Sequence, residues 1–190
     1  IVEQLNNARR LIKEAEEQTQ LMLLNLRAAK QARAASVWEA AVDYAEKGID
    51  LLRVDDWLAH YKQACDLYLI KAECEYLNGD HDQSAQDYDT LFDHLTDDVQ
   101  RAEICVNRLV QSIARGDWLQ GAEYGKKGLV YLGIPLPTGD RLGASVQQAC
   151  TYVQEHSDHG VIYVLDLPDM MDPKQLVALR IYVNLHVVAM

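Results

Sequence analysis

The chain has 190 residues, 25% of them charged and 49% hydrophobic, enough for one or two globular domains with a sizeable core. Its formal charge of −11, from 29 acidic and 18 basic residues, repels phosphate backbones and anionic lipid, which argues against nucleic acid and membrane surfaces as partners. No stretch of eighteen apolar residues and no charged-then-apolar leader is present, so the sequence reads as cytoplasmic, and a start in helical pattern without an initiator Met reads as a segment of a longer polypeptide.

Helical periodicity runs through the chain with clean breaks. Val2, Leu5, Ala8 and Ile12 fall on one face of a first helix over Ile1–Ile12, and Leu21, Leu24, Ala28 and Ala32 mark a second over Glu14–Ala35. A third spans Trp38–Leu52, where "RVDD" offers Asp55 or Asp56 as cap to a fourth over Trp57–Leu77. Asp80 caps a helix ending near Leu95, Asp97 or Asp98 the next, and Asp117 repeats the role of Asp80 after "RGD". The strongest break is "GIPLPTGD" from Gly133, followed by a helix from Asp140 to His156 and a last one from Asp172 or Pro173. The run "VIYVLDL" from Val161 has no second run to pair with and reads as a helical turn or packed connector, so the fold class is all-α.

Three stretches repeat: "WEAAVDYAEKGIDLL" from Trp38, "HDQSAQDYDTLFDHL" from His81 and "WLQGAEYGKKGLVYL" from Trp118. Their starts are 43 and 37 residues apart and each follows another helix, a spacing typical of helical solenoids. One face carries Ala41, Ala45 and Gly48 in the first copy and Gly121, Gly125 and Gly128 in the last. Each helical glycine costs about 1 kcal/mol relative to alanine, so such a stripe points to close approach of another helix.

This pattern resembles the tetratricopeptide repeat, an α-α superhelix of antiparallel hairpins with small residues at set positions. Ala29, Ala41 and Gly48 match in the first copy, Ala72 and Ser84 in the second, and Gly121 and Gly128 in the third, with Leu91 and Leu109 at places where the family has small residues. The resemblance implies hairpins over residues 1–132, C-terminal helices over 133–190 continuing the same solenoid, and a concave groove lined by Leu26, Lys30, Arg33, Leu69, Glu73, Tyr76, Glu103, Val106 and Val110. A narrower resemblance rests on "KKGLVYLGIPLP" and "LDLPDMMDPKQLVALRIYVNL": it is similar to the helical-repeat region of large bacterial signalling proteins. In those, an ATPase of the AAA/STAND kind precedes the repeats and kinase or GAF domains flank them. It implies a non-catalytic module binding a protein, a peptide or other domains of its own polypeptide, or, alternatively, an effector-binding solenoid of a STAND-type transcription activator.

Chemistry-bearing motifs are weak. "GAEYGKKG" is one residue short of a phosphate loop, carries Lys127 at the magnesium-binding position and follows no strand. "HSDH" at His156–His159 has too few ligands for a metal, and "GDHDQSAQDYD" lacks a calcium rhythm. The cysteines at 65, 74, 105 and 150 read as buried free thiols, and Trp38, Trp57 and Trp118 as core. No cofactor, no metal and no catalysis are expected. The final helix is apolar on more than one face, through Leu176, Val177, Leu179, Ile181, Val183, Leu185, Val187 and Val188, and so is expected to meet a further neighbour or a second copy.

Overall fold

The computed structural model describes residues 1–53, 56–137, 140–157 and 169–189, and among these the regular elements are helical, with no strand. Two compact units divide the chain, Ile1–Thr96 and Asp97–Met190. The stretch from Val161 to Pro168 and the second half of "HSDH", Asp158 and His159, lie outside the described residues.

The first unit holds α1 (Val2–Asn7), a 3-10 turn (Arg9–Leu11), α2 (Ala15–Ala34), α3 (Trp38–Ile49), α4 (Asp56–Ala59), α5 (Tyr61–Asn78) and α6 (His81–His94). Two expected helices are broken. The helix over Ile1–Ile12 stops at Asn7, because its polar end is used in tertiary bonds. Asn6 and Asn25 exchange amide hydrogen bonds at 2.8 and 2.9 Å, and the Arg9 guanidinium binds the Asp50 carboxylate at 2.9 Å at the end of α3. The helix over Trp57–Leu77 breaks at His60, whose φ of −127° and ψ of 35° are not helical. Trp57, ahead of the break, stacks on His94 with ring centroids 3.8 Å apart and on Tyr68 at 5.5 Å.

α2 pairs with α3, and α5 with α6, as antiparallel hairpins. Between them α3 packs on α5 and α2 lies beside α5 in the same direction, since Lys30 bridges to Asp66 and Arg33 to Glu73. The core is Leu21, Met22, Leu26, Leu51, Leu67, Ile70 and Cys74. A fully buried leucine such as Leu67 contributes about 1.5–3 kcal/mol through its removal from water.

The second unit holds α7 (Asp98–Ala114), α8 (Trp118–Tyr131), α9 (Asp140–Ser157) and α10 (Pro173–Ala189). α7 and α8 form a third antiparallel hairpin, and α10 packs on both. Their core is Ala102, Val106, Leu109, Leu129, Leu132, Val177, Ala178 and Ile181. The side chains of α9 that are described are all exposed.

One turn recurs in all three hairpins. The amide of Val37 donates to Ala32 and that of Ser36 to Arg33; Asp80 donates to Glu75 and Gly79 to Tyr76; Asp117 donates to Ser112 and Gly116 to Ile113. This double bond is the Schellman closure, which requires a left-handed residue just past the helix. Gly79 at φ 93° and Gly116 at φ 76° supply it, and Ser36 holds the same place at φ 58°. A fourth copy ends α8, where Gly133 at φ 69° donates to Val130 and Ile134 to Leu129. Caps differ more than the sequence implies. The Asp97 side chain accepts from Val99 at 2.7 Å and that of Asp117 from Gln120 at 3.1 Å, whereas Asp80 occupies the cap position without a side-chain cap bond.

Candidate functional site

The small-residue positions lie where helices meet. Ala29, Ala41, Ala45, Ala72, Ser84, Gly48, Gly121, Gly125 and Gly128 are all buried. Ser84 adds a bond of its own, donating its hydroxyl to the Ala72 carbonyl at 2.7 Å and so tying α6 to the main chain of α5. The glycines, however, do not simply bring the two helices of one hairpin together. A Cβ at Gly48 would lie 2.7 Å from a Leu67 methyl, on the first helix of the next hairpin. One at Gly125 would lie 2.5 Å from Leu185, and one at Gly128 2.8 Å from Ile181, both on α10. Only Gly121 faces its hairpin partner alone, with Leu109 3.4 Å away. Three of these glycines are therefore sockets for side chains of a following helix.

The groove positions scatter. Lys30 is exposed, and Arg33, Leu69, Glu73 and Tyr76 are half-buried along α2 and α5. Lys30 Nζ lies 2.6 Å from Asp66 and Arg33 Nη1 2.7 Å from Glu73, so the basic pair is already engaged across the two helices. Beside them is an open depression of about 420 Å³ lined by Leu23, Leu26, Arg27, Lys30, Lys62, Gln63 and Asp66. Leu26 is nearly buried and belongs to the core beneath it. Tyr76 packs its ring against His81 at 4.8 Å. In the second unit, Glu103 is exposed and Val110 is 44% exposed, but Val106 is fully buried, which removes it from any groove. The periodicity that aligned Val106 with Glu73 ignored that α10 covers part of α7.

A buried ionic cluster escaped the sequence reading. Lys71 Nζ lies 2.6 Å from both Glu75 and Asp87, and all three residues are buried between α5 and α6. Two carboxylates share one ammonium, and Glu75 Oε2 has no hydrogen-bond partner. Burial, helped by Asp87, pushes the Glu75 carboxyl up to about 7. Burial pulls the Lys71 ammonium down, but its bonds to Asp87 and Glu75 outweigh that and leave it raised. The i, i+4 spacing of Lys71 and Glu75 was visible, though such pairs usually sit in solvent; no local signal shows that Asp87 would close over them.

Other sequence candidates resolve as packing or surface. "GAEYGKKG" is part of α8. Cys65, Cys74 and Cys105 are buried, and burial raises the last two thiols to about 11, but Cys150 is exposed, against expectation. Trp118 is 46% exposed, so it is not core: it lies at the turn end of its hairpin, where α8 begins. Among the described residues no three His, Cys, Asp or Glu side chains converge as a metal site. No helix among them is long and apolar enough to cross a membrane. On α10, Val177, Ala178 and Ile181 are buried while Leu176, Leu179, Tyr182 and Val183 are exposed; Val187 and Val188 lie outside the described side chains. Searches of protein-family models, of curated proteins and of solved structures each return no match to this chain.

Proposed function

We propose that this chain is a non-catalytic interaction module built as a tetratricopeptide-like α-α superhelix, working in the cytoplasm as part of a bacterial signal-transduction polypeptide. The observation that carries this reading is the hairpin that recurs with one Schellman turn and one small-residue seam, leaving α2 and α5 side by side under an amphipathic depression. Repeated hairpins spend their sequence on stacking against neighbours, and what they offer outward is an extended face rather than an enclosed pocket. The floor of Leu23 and Leu26 with Arg27, Lys30, Lys62 and Asp66 at its rim suits a protein segment that seats an apolar side chain between mixed charges. The partner is another protein or a further domain of the same polypeptide.

A photocrosslinking amino acid placed at Leu23, and separately at Leu119 on α8, tests this in cells expressing the natural full-length polypeptide. The reading requires a discrete protein adduct, within or between chains, from position 23 that Lys62→Glu diminishes, and none of that size from position 119. Adducts of equal pattern from both sites, or none from position 23, would sink it.

A further inference from the structure

Where α2 and α5 run side by side, a base of one helix meets an acid of the other. Lys30 lies 2.6 Å from Asp66, and further along Arg33 lies 2.7 Å from Glu73. One turn before Lys30 this series breaks. Arg27 lines the depression of about 420 Å³, and the α5 residues that line it ahead of Asp66 are Lys62 and Gln63, so a base stands where the series has carboxylates.

The two bases are left over. Both Arg27 and Lys62 are exposed, and neither side chain forms an ion pair or hydrogen bond among the described residues. Asp66, the one acidic group among the described lining residues, is already held by Lys30. Along the chain, no Asp or Glu falls within one helical turn of Arg27, and Asp66 alone does so for Lys62. The net charge of −11 does not cancel this local surplus, because charges more than about 8 Å away are largely screened at physiological ionic strength. Beside the two cations the floor is apolar, with Leu23 39% exposed over the buried Leu26. A nucleic acid or polyphosphate would leave that floor unused and meet only two cations on an acidic molecule.

We infer that this face takes a protein segment in which an apolar side chain is flanked by Asp or Glu. The apolar group seats on Leu23, and a carboxylate completes the series by bridging Arg27 and Lys62, where the guanidinium fork matches its two oxygens. The inference rests on the reading of this face as a docking surface and adds the chemistry of its partner.

Selection of a random dodecapeptide phage library on the full chain tests it. Recovered peptides should share an apolar residue with Asp or Glu a few positions away. In fluorescence anisotropy, such a peptide carrying a label should bind roughly tenfold more weakly to Arg27→Gln/Lys62→Gln. A control of equal charge change, Lys126→Gln/Lys174→Gln, should bind within about twofold of the parent. Replacing the peptide's own Asp and Glu by Asn and Gln should weaken binding to the parent by a similar factor, an outcome that does not depend on how the variant folds. The amide peptide should then no longer distinguish the parent from Arg27→Gln/Lys62→Gln. Recovered peptides without carboxylates, no recovered peptide that binds through this face, or equal loss in the control variant overturns the inference. Photocrosslinking from position 23 separates it from the reading beneath: a discrete adduct whose crosslinked segment lacks Asp and Glu sinks the acidic partner alone, whereas no adduct sinks both.

Discussion

At Glu75 the fold holds a carboxyl group that prefers its proton. Burial first, and Asp87 second, raise it from 4.5 to about 7, while Lys71 sits 2.6 Å away and remains charged. Below the unfolded value both states keep the proton and nothing is lost. Between about 4.5 and 7 the unfolded chain releases it and the folded chain does not, so this group's contribution falls as pH rises and stays low above 7. The effect is at most roughly 3 kcal/mol, since one pKa unit corresponds to about 1.4 kcal/mol. Glu75→Gln keeps an acceptor for Lys71 and replaces the unpaired Oε2 with a donor beside Asp87. Urea unfolding of parent and variant across pH 5 to about 8 should show the variant gaining on the parent by about 2 kcal/mol over that range. A pH-independent difference would mean that Glu75 is ionised throughout. The sequence could not show this, because Lys71 and Glu75 look like an ordinary exposed helix pair until Asp87, sixteen positions on, is brought over them.

Helices carried most of what was legible. The small-residue stripes at i, i+4 and i+7 marked buried positions in the first and last copies, and the Gly-Asp pairs marked the last two turns, since both signals are local. What the stripes face is not local. Gly128 seats Ile181, fifty-three positions away, so the reason for its glycine lies in a helix that its own sequence neighbourhood cannot specify. The breaks at Asn7 and His60 have the same origin, in the Asn6–Asn25 pair and the Trp57–His94 stack. Glycines at equal helical spacing should therefore respond in opposite directions. A methyl at Gly121 would meet Leu109 at 3.4 Å, an ordinary contact, so Gly121→Ala should stabilise by about 0.5–1 kcal/mol through helix propensity. At Gly128 the methyl would lie 2.8 Å from Ile181 and 3.1 Å from the Cβ of Cys105, which is fixed to the α7 backbone. Gly128→Ala should destabilise by about 1–3 kcal/mol despite the same gain in propensity. Thermal unfolding of the two variants decides it, and shifts of the same sign would show that the seam is not set by packing.

Across the whole molecule, the sequence placed its strongest break at "GIPLPTGD" because Gly and Pro report on turn chemistry, yet that stretch falls inside the second unit. The division between units comes at Thr96 and Asp97, where the only local sign is a helix cap. Compactness depends on which side chains share a core, and the set Leu21, Met22, Leu26, Leu51, Leu67, Ile70 and Cys74 closes entirely within Ile1–Thr96. The same unit contains both hairpins that pack through Gly48 and Leu67, the Asn6–Asn25 amide pair and the Lys71 cluster. Each of these contacts joins two residues within Ile1–Thr96. A fragment of residues 1–96 should accordingly fold alone, with a helical circular dichroism spectrum and a single cooperative urea transition. It should also carry the pH-dependent gain of Glu75→Gln at undiminished size, because Asp87 and Lys71 travel with it. A broad, non-cooperative transition with dye-accessible apolar surface would mean that the first core is completed only by the rest of the chain.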